Sequence, residues 1–400
     1  MHCRWTILAV LFVARAAMAF QFQSVGAVAP LVSDSLGASL ADIGILIGLY
    51  LAPGVALALP GATIGQRHGD KVTVLAGLLM MLAGELLMMA STSWSLQIGG
   101  RLIGGTGGVL LNVLMTKMVA DWFAGREIAT AMAIYINSWP AGIAIALMLL
   151  PAIGTTFGMT AVGIAVSVLI IVSLGLMSFV YRAPDVPPAG GGDRRGISAR
   201  TTYALIAAGL IWCLYNVGFA MVFSFGPSML VERGWSNSAA GSTISVVLWL
   251  ATLSVPLGGL LANRSKRGGA VLVAGCVGFA FLMLLLSRSG PMPALIIAMG
   301  IVCGLPAGAI MSLPTRVLNQ KTRSIGMGVF YTVYYAGMLA GPAIGGKLAT
   351  WAGTAAAALD FGAAALLLCP LLLWSFHRIS RQASLLPSVR GERSARTPSS

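Results

Sequence analysis

Apolar residues come along this chain in blocks of about twenty, the length a helix needs to cross the hydrocarbon layer of a bilayer, with polar residues gathered between them. Blocks of this kind start near Trp5, Ile43, Val72, Leu96, Ile128, Thr160, Tyr203, Ala239, Ala270, Ala294, Ile325 and Thr354. The pattern predicts an all-α integral membrane protein of twelve transmembrane helices. Most connectors are short. The exception runs from Arg182 to Thr201, where Pro184, Pro187, Pro188, the run Gly190-Gly191-Gly192 and four arginines read as a flexible linker. The chain thus divides into a six-helix half at 1–181, a linker at 182–201, a second six-helix half at 202–376 and a basic, Ser-rich tail at 377–400 that reads as disordered. Arg4, the apolar run Trp5 to Ala14 and the small-x-small pattern Ala17-Met18-Ala19 also imitate a cleavable signal peptide. Cleavage would leave eleven spans and break the symmetry described below, so this segment is read as the first half of the first span.

Composition narrows function more than it alters the elements. At 58% hydrophobic and 9% charged residues, the chain cannot be a soluble enzyme, a disordered scaffold or a secreted disulfide framework. Fifty glycines and eighteen prolines suit membrane helices that approach closely and bend. The five cysteines include no C-x-x-C, and four lie in apolar segments, so neither a metal site nor a cofactor motif is written here. The net charge of +14 is an orientation signal: twenty basic residues fall on one side of the twelve-span plan and three, Arg233, Arg288 and Lys347, on the other. Basic loops stay cytoplasmic, which places both termini inside a bacterial inner membrane and removes nucleic acid as a partner.

Sliding the chain over itself by 197 residues superposes Pro30 on Pro227, Gly44 on Gly241, Gly61 on Gly258, Arg67 on Arg264, Gly107 on Gly304 and Arg126 on Arg323. A repeat after an even number of spans gives two halves of the same membrane orientation, related by an axis along the membrane normal. Two parallel six-helix pseudo-repeats around a central cavity form a transporter architecture.

Loop motifs carry a more specific likeness. Ala62-Thr63-Ile64-Gly65-Gln66-Arg67-His68-Gly69-Asp70-Lys71 follows the second span, and Gly259-Leu260-Leu261-Ala262-Asn263-Arg264 echoes it in the second half. Arg101-Leu102-Ile103-Gly104-Gly105-Thr106-Gly107-Gly108 lies in the fourth span, and Gly328, Gly337, Gly341, Pro342, Gly345 and Gly346 punctuate the eleventh. With these motifs the chain resembles the major facilitator superfamily (MFS) over residues 1 to about 376. That resemblance implies gating at the cytoplasmic loops by Arg67 and Arg264, with Asp70 as a substitute for the motif aspartates replaced by Gln66 and Asn263. It also implies tight, bendable packing at Gly337, Gly341 and Pro342. The text Phe20-Gln21-Phe22-Gln23-Ser24, the stretch Gly48-Leu49-Tyr50-Leu51-Ala52-Pro53-Gly54 and the loop Lys117 to Phe123 are similar to bacterial permeases of the cyanate and nitrate/nitrite porter group. The nitrate porters' paired arginines belong to spans two and eight, where this chain has none.

Four ionisable residues lie inside spans: Arg15, Glu85, Arg101 and Asp360. A charge at the bilayer centre costs at least about 2.5–3.5 kcal/mol on insertion scales, so such residues face a cavity or a partner. Glu85 and Arg101 each stand eight residues from the turn at Ser93, hence at equal depth, and are expected to pair. If transport is proton-linked, Glu85 is the leading carrier, while Arg101 has both a structural and a substrate-binding reading. Arg15 lies ten residues inside the first span with no acidic residue assignable to its depth. A guanidinium so placed is an anion site by default, since its fixed donors suit a planar oxyanion. At about 100° per residue Arg15, Phe22 and Gln23 share a helix face. The cavity expected from the resemblance adds Asn112, Asn137, Trp212, Tyr215, Asn216 and Tyr331, with Tyr334 and Tyr335.

These features predict a secondary transporter of a small anion or organic acid that works by alternating access, with the lipid bilayer as its surroundings and the monomer as its functional unit. Efflux of amphipathic compounds is the alternative, suggested by the eleventh-span motif and twenty methionines. A membrane-embedded enzyme would need a constellation of acids or nucleophiles that Glu85 and Asp360 do not supply. A solute receptor would bind without accumulating its ligand.

Overall fold

In lipid every backbone N–H and C=O must be satisfied within its own segment, so apolar blocks of this length become helices. The computed structural model describes residues 4–58, 60–123, 127–183, 197–265, 267–289, 293–318 and 322–384, and among them it contains helices and turns but no strand. The amino-terminal group comprises α1 (Arg4–Ala27), α2 (Ala29–Leu36), α3 (Leu40–Leu51), α4 (Pro53–Leu57), α5 (Gly61–His68), α6 (Asp70–Ala90), α7 (Trp94–Trp122), α8 (Ile128–Phe157) and α9 (Met159–Phe179). The carboxy-terminal group comprises α10 (Ala199–Glu232), α11 (Asn237–Ser265), α12 (Gly268–Ser289), α13 (Pro293–Cys303), α14 (Leu305–Met311), α15 (Arg323–Ala352) and α16 (Ala356–Ser384).

Prolines explain why there are more helices than blocks. Pro30, Pro53 and Pro306 each sit in the first turn of a new helix, where the missing N–H costs nothing, so three spans are broken there. Ser39 then starts α3 with a capping box: its side chain accepts from the Asp42 N–H while the Asp42 carboxylate accepts from the Ser39 N–H. Gly158, at φ 83°, is the single residue between α8 and α9, a left-handed turn that a side chain would strain.

Eleven helical stretches among the described residues are long and apolar enough to span a membrane. The thirty-residue α15 is not one of them, because its tyrosines, glycines and Lys347 lower its hydropathy, yet it packs fully into the bundle against α3 and α10. Two sequence boundaries shift. The last helix continues past His377 to Ser384, and α10 begins at Ala199, capped by Ser198, inside the stretch read as linker. Residues 184–196 and 385–400 lie outside the described ones.

Within the groups, α6 packs on α7, α1 on α8 and α10 on α15 and α16. Between them two helix pairs make a seam, α3 with α15 and α8 with α11, and α1 meets α10 beside it. Side chains such as Leu79, Ile164, Val168, Leu253, Phe281 and Leu371 remain more than half exposed on the outside, as a lipid-facing surface requires.

The seam is tight because glycines let backbones meet. A Cβ at Gly44 of α3 would press into the carbonyl of Pro342 in α15, and one at Gly241 of α11 into the carbonyl of Leu147 in α8. Gly337 and Gly341 serve a different contact, with Cys213 and Val217 of α10 inside the carboxy-terminal group. Cross-seam hydrogen bonds join the Ala41 N–H to Thr350 Oγ1 at 2.9 Å, Gln23 Nε2 to the Phe223 carbonyl at 2.8 Å and Asn137 Nδ2 to the Thr252 carbonyl at 2.9 Å. The first two lie toward the distal end, where α1 finishes and α3 starts, and the third lies beside the Arg15 contact with α8. On the Arg4 side of mid-depth the seam continues in α4, where Gly54 lies against the Tyr335 ring of α15.

Candidate functional site

At the middle of the seam, charge and aromatic groups converge. Arg15 of α1 donates from Nε to Asn112 Oδ1 of α7 at 3.1 Å, and from Nη1 to the carbonyls of Tyr135 and Ile136 of α8 at 3.1 and 3.2 Å. Its guanidinium lies 4.6 Å from the centre of the Tyr135 ring. Among the described residues no carboxylate pairs with it and Nη2 makes no hydrogen bond. Asn112 continues the chain across the seam, donating from Nδ2 to the Tyr335 hydroxyl of α15 at 3.2 Å. From Tyr335 an aromatic wall extends through Tyr334 at 5.0 Å and Tyr331 at 6.5 Å to Trp212 of α10, 6.3 Å from Tyr334. The Tyr135 hydroxyl is buried beside the Thr116 side chain of α7.

Arg15, Asn112, Trp212 and Tyr331 are therefore brought together, and the other candidates are not. Phe22 and Gln23 share the Arg15 face but sit nearer the distal end, inside the closed seam: Phe22 packs on Tyr50, Trp139 and Phe223, and Gln23 holds the Phe223 carbonyl. Asn137 gives Nδ2 to the α8–α11 contact, while its buried Oδ1 has no hydrogen-bond partner among the described residues. Tyr215 donates to the Cys303 carbonyl at 2.9 Å within its own group, and Asn216 turns back on the Trp212 carbonyl of its own helix at 2.7 Å. Tyr135 was missed by sequence reasoning; a tyrosine two positions before Asn137 in an apolar block was the available signal.

The expected Glu85–Arg101 ion pair is corrected. Arg101, 1% exposed, spends its donors on three backbone carbonyls: Leu46 of α3 at 2.9 Å, Gln21 of α1 at 2.9 Å and Phe22 of α1 at 2.8 Å. Its guanidinium also stacks 4.7 Å from the Tyr50 ring centre. Glu85 Oε2 instead accepts from Gln21 Nε2 at 3.0 Å, and Gln21 Oε1 accepts from the Tyr50 hydroxyl at 3.1 Å. The amide of Gln21 stands between acid and base because equal depth on two helices fixes height but not azimuth. Arg101 is thus a clamp of α7 on α1 and α3, buried and with three of its five N–H donors spent on their backbone.

At the Arg4 end, Asp70 accepts from Lys117 Nζ at 2.5 Å, joining the start of α6 to the end of α7 within one group. Arg67 and Arg264 are exposed and make no hydrogen bond or ion pair among the described residues; the side chains of Gln66 and Asn263 lie outside them. Asp360, near the distal end, pairs with Arg288 at 2.7 Å.

Two helix groups meeting along a seam, with a polar and aromatic cluster at its middle, form a multi-pass membrane carrier of small molecules rather than an enzyme. The chain belongs to the Major Facilitator Superfamily, whose sequence profile it matches over residues 11–232 and 208–399. It is 24% identical to the methylenomycin A resistance protein of Bacillus subtilis, over 86% of this chain and 88% of that one. It is 23% identical to the hexuronate transporter of the same organism, over 82% and 83%. The fold is similar to that of a bacterial homologue of the human lysosomal transporter Spinster in an inward-facing, occupied conformation, with a TM-score of 0.74, 16% identity and coverage of 95% and 97%.

Proposed function

We propose that this carrier moves a small anionic solute, a carboxylate or a similarly planar oxyanion, by exposing the Arg15 site alternately to the two sides of a bacterial inner membrane. The observation that carries this reading is Arg15 itself: a cation at mid-depth, at the junction of both helix groups, with no acidic partner and Nη2 uncommitted. A half-buried guanidinium of this kind can offer its Nη2 hydrogens to an anion at low cost, since its Nε and Nη1 donors are already held in place. The hexuronate transporter among the relatives is named for a carboxylate, and the loop likeness to cyanate and nitrate/nitrite porters also favours an anion. Both termini are cytoplasmic on the basic-residue count, so the Arg4 end faces the cytoplasm. One chain holds both helix groups and the whole site, and the monomer is the working unit.

Uptake by proteoliposomes from a panel of uronates, aromatic acids, short monocarboxylates and inorganic oxyanions tests the reading. For any anion carried, Arg15→Gln should weaken apparent affinity about ten- to a hundredfold, the worth of one or two charge-assisted hydrogen bonds. Arg15→Lys should recover part of it. Unchanged affinity in Arg15→Gln would refute the anion site. The wall of Trp212, Tyr331, Tyr334 and Tyr335 favours a second reading, export of an aromatic or amphipathic compound, as the resistance-protein relative does. Under that reading the cargo is uncharged or cationic and its transport is insensitive to Arg15→Gln.

A further inference from the structure

A second cavity, of about 350 Å³, lies wholly within the amino-terminal group near the distal end, away from the seam and from Arg15. It opens between exposed Ser35, Thr92 and Thr160 and narrows to a floor of buried Ser24, Glu85 and Gln97. Met88, Met89 and Met159 supply flexible apolar walls. Volume and lining are those of a small-molecule site, mostly apolar with a few placed polar groups.

The hydrogen bonds at the floor decide what such a molecule must be. Ser24 has spent its hydroxyl proton on the Gln21 carbonyl at 2.8 Å. Gln97 has spent both amide protons on the carbonyls of Met88 and Ser91, at 2.8 Å each. Glu85 accepts one bond, at Oε2, and its Oε1 receives no donor from the protein. The floor thus retains acceptors only, on Ser24, Gln97 and Glu85. Arg101 makes no contact with the carboxylate: the hydrogen bonds it makes go to the carbonyls of Leu46, Gln21 and Phe22, and its face covers Tyr50. An occupant has to bring N–H donors and a positive charge to the floor and a short apolar body to the methionines.

We propose that this cavity is a binding site for a primary alkylammonium ion, held by Glu85, Ser24 and Gln97 and separate from the anion site at Arg15. Ser24, Gln97 and Glu85 each keep an acceptor for the ammonium, and Gln21 ties the carboxylate to α1, the helix that presents Arg15. Occupancy therefore also bears on how α1 is held.

The test uses the full-length protein in lipid nanodiscs and n-hexylammonium, with n-hexanol, hexanoate and tetramethylammonium as comparators, read by calorimetry and thermal unfolding. Saturable binding of n-hexylammonium is expected, with each comparator at least about tenfold weaker, because hexanol lacks the charge, hexanoate reverses it and tetramethylammonium has no N–H. Glu85→Gln should abolish the signal and Arg15→Gln should leave it intact. Should Glu85→Gln not fold, Thr160→Trp at the exposed rim should block entry with the floor unaltered. Equal binding of hexanol would reduce the cavity to an apolar void and overturn the proposal. Loss of binding in Arg15→Gln with retention in Thr160→Trp would move the amine to the central cavity, and no saturable binding at all would likewise overturn it.

Discussion

Arg101→Leu is expected to remove most of the folded protein. The substitution takes the guanidinium away from three carbonyls on two neighbouring helices, strips the Tyr50 ring of its cation and leaves Glu85 without a positive charge nearby. Breaking a buried charged network from one side costs about 3–5 kcal/mol, a large part of a typical stability of about 5–15 kcal/mol. The monodisperse fraction after detergent extraction should fall about tenfold or more, and the remainder should melt several degrees lower. Arg101→Lys should be intermediate, because a compact ammonium cannot reach three carbonyls and stack on a ring together. Adding Glu85→Gln to Arg101→Leu should restore only part of the loss, since Gln21 stands between the two charges. An Arg101→Leu protein with wild-type yield and melting temperature would show that the clamp contributes nothing.

Gly44→Leu is expected to leave a folded protein that no longer transports. Its side chain has to enter the space held by the Pro342 carbonyl, so closure of the distal end is opposed while neither helix group is disturbed internally. Overpacking of this kind costs about 1–3 kcal/mol, enough to move a two-state equilibrium by roughly five- to a hundredfold. The readout is alkylation of a cysteine placed at Ser224, buried in the closed seam: labelling should rise in Gly44→Leu as uptake falls. Gly241→Leu should behave alike. Wild-type labelling together with full uptake would mean that the α3–α15 contact does not govern closure.

Much of this architecture is legible in the sequence because lipid leaves few choices: twenty apolar residues without a partner strand become a helix, and proline marks where it breaks. Arg15 is legible for the same reason, as a cation in an apolar block is conspicuous. What the pattern does not carry is rotation and access. Helical periodicity places Phe22 and Gln23 on the Arg15 face, but they stand about 11 Å further along the axis, where the groups have closed. Depth counting put Glu85 and Arg101 level, yet neither reaches the other past Gln21. Tyr135 and Gln21 organise the two buried charges and were passed over, since one tyrosine or one amide inside a span has no periodic signature.

The two glycine contacts of the seam have a common origin in the repeat. Under the 197-residue offset Gly44 falls on Gly241, and Pro342 falls on Ile145, two positions from the Leu147 that Gly241 meets. The α3–α15 and α8–α11 contacts are one interface present twice, which is the definition of an isologous contact between identical subunits. The chain is joined to itself as a homodimer would be. A single half, expressed alone, already carries both surfaces of that interface and so has the complementarity to assemble as a two-fold dimer, with Gly44 of each copy against the α8 of the other where the natural chain sets Gly44 against Pro342.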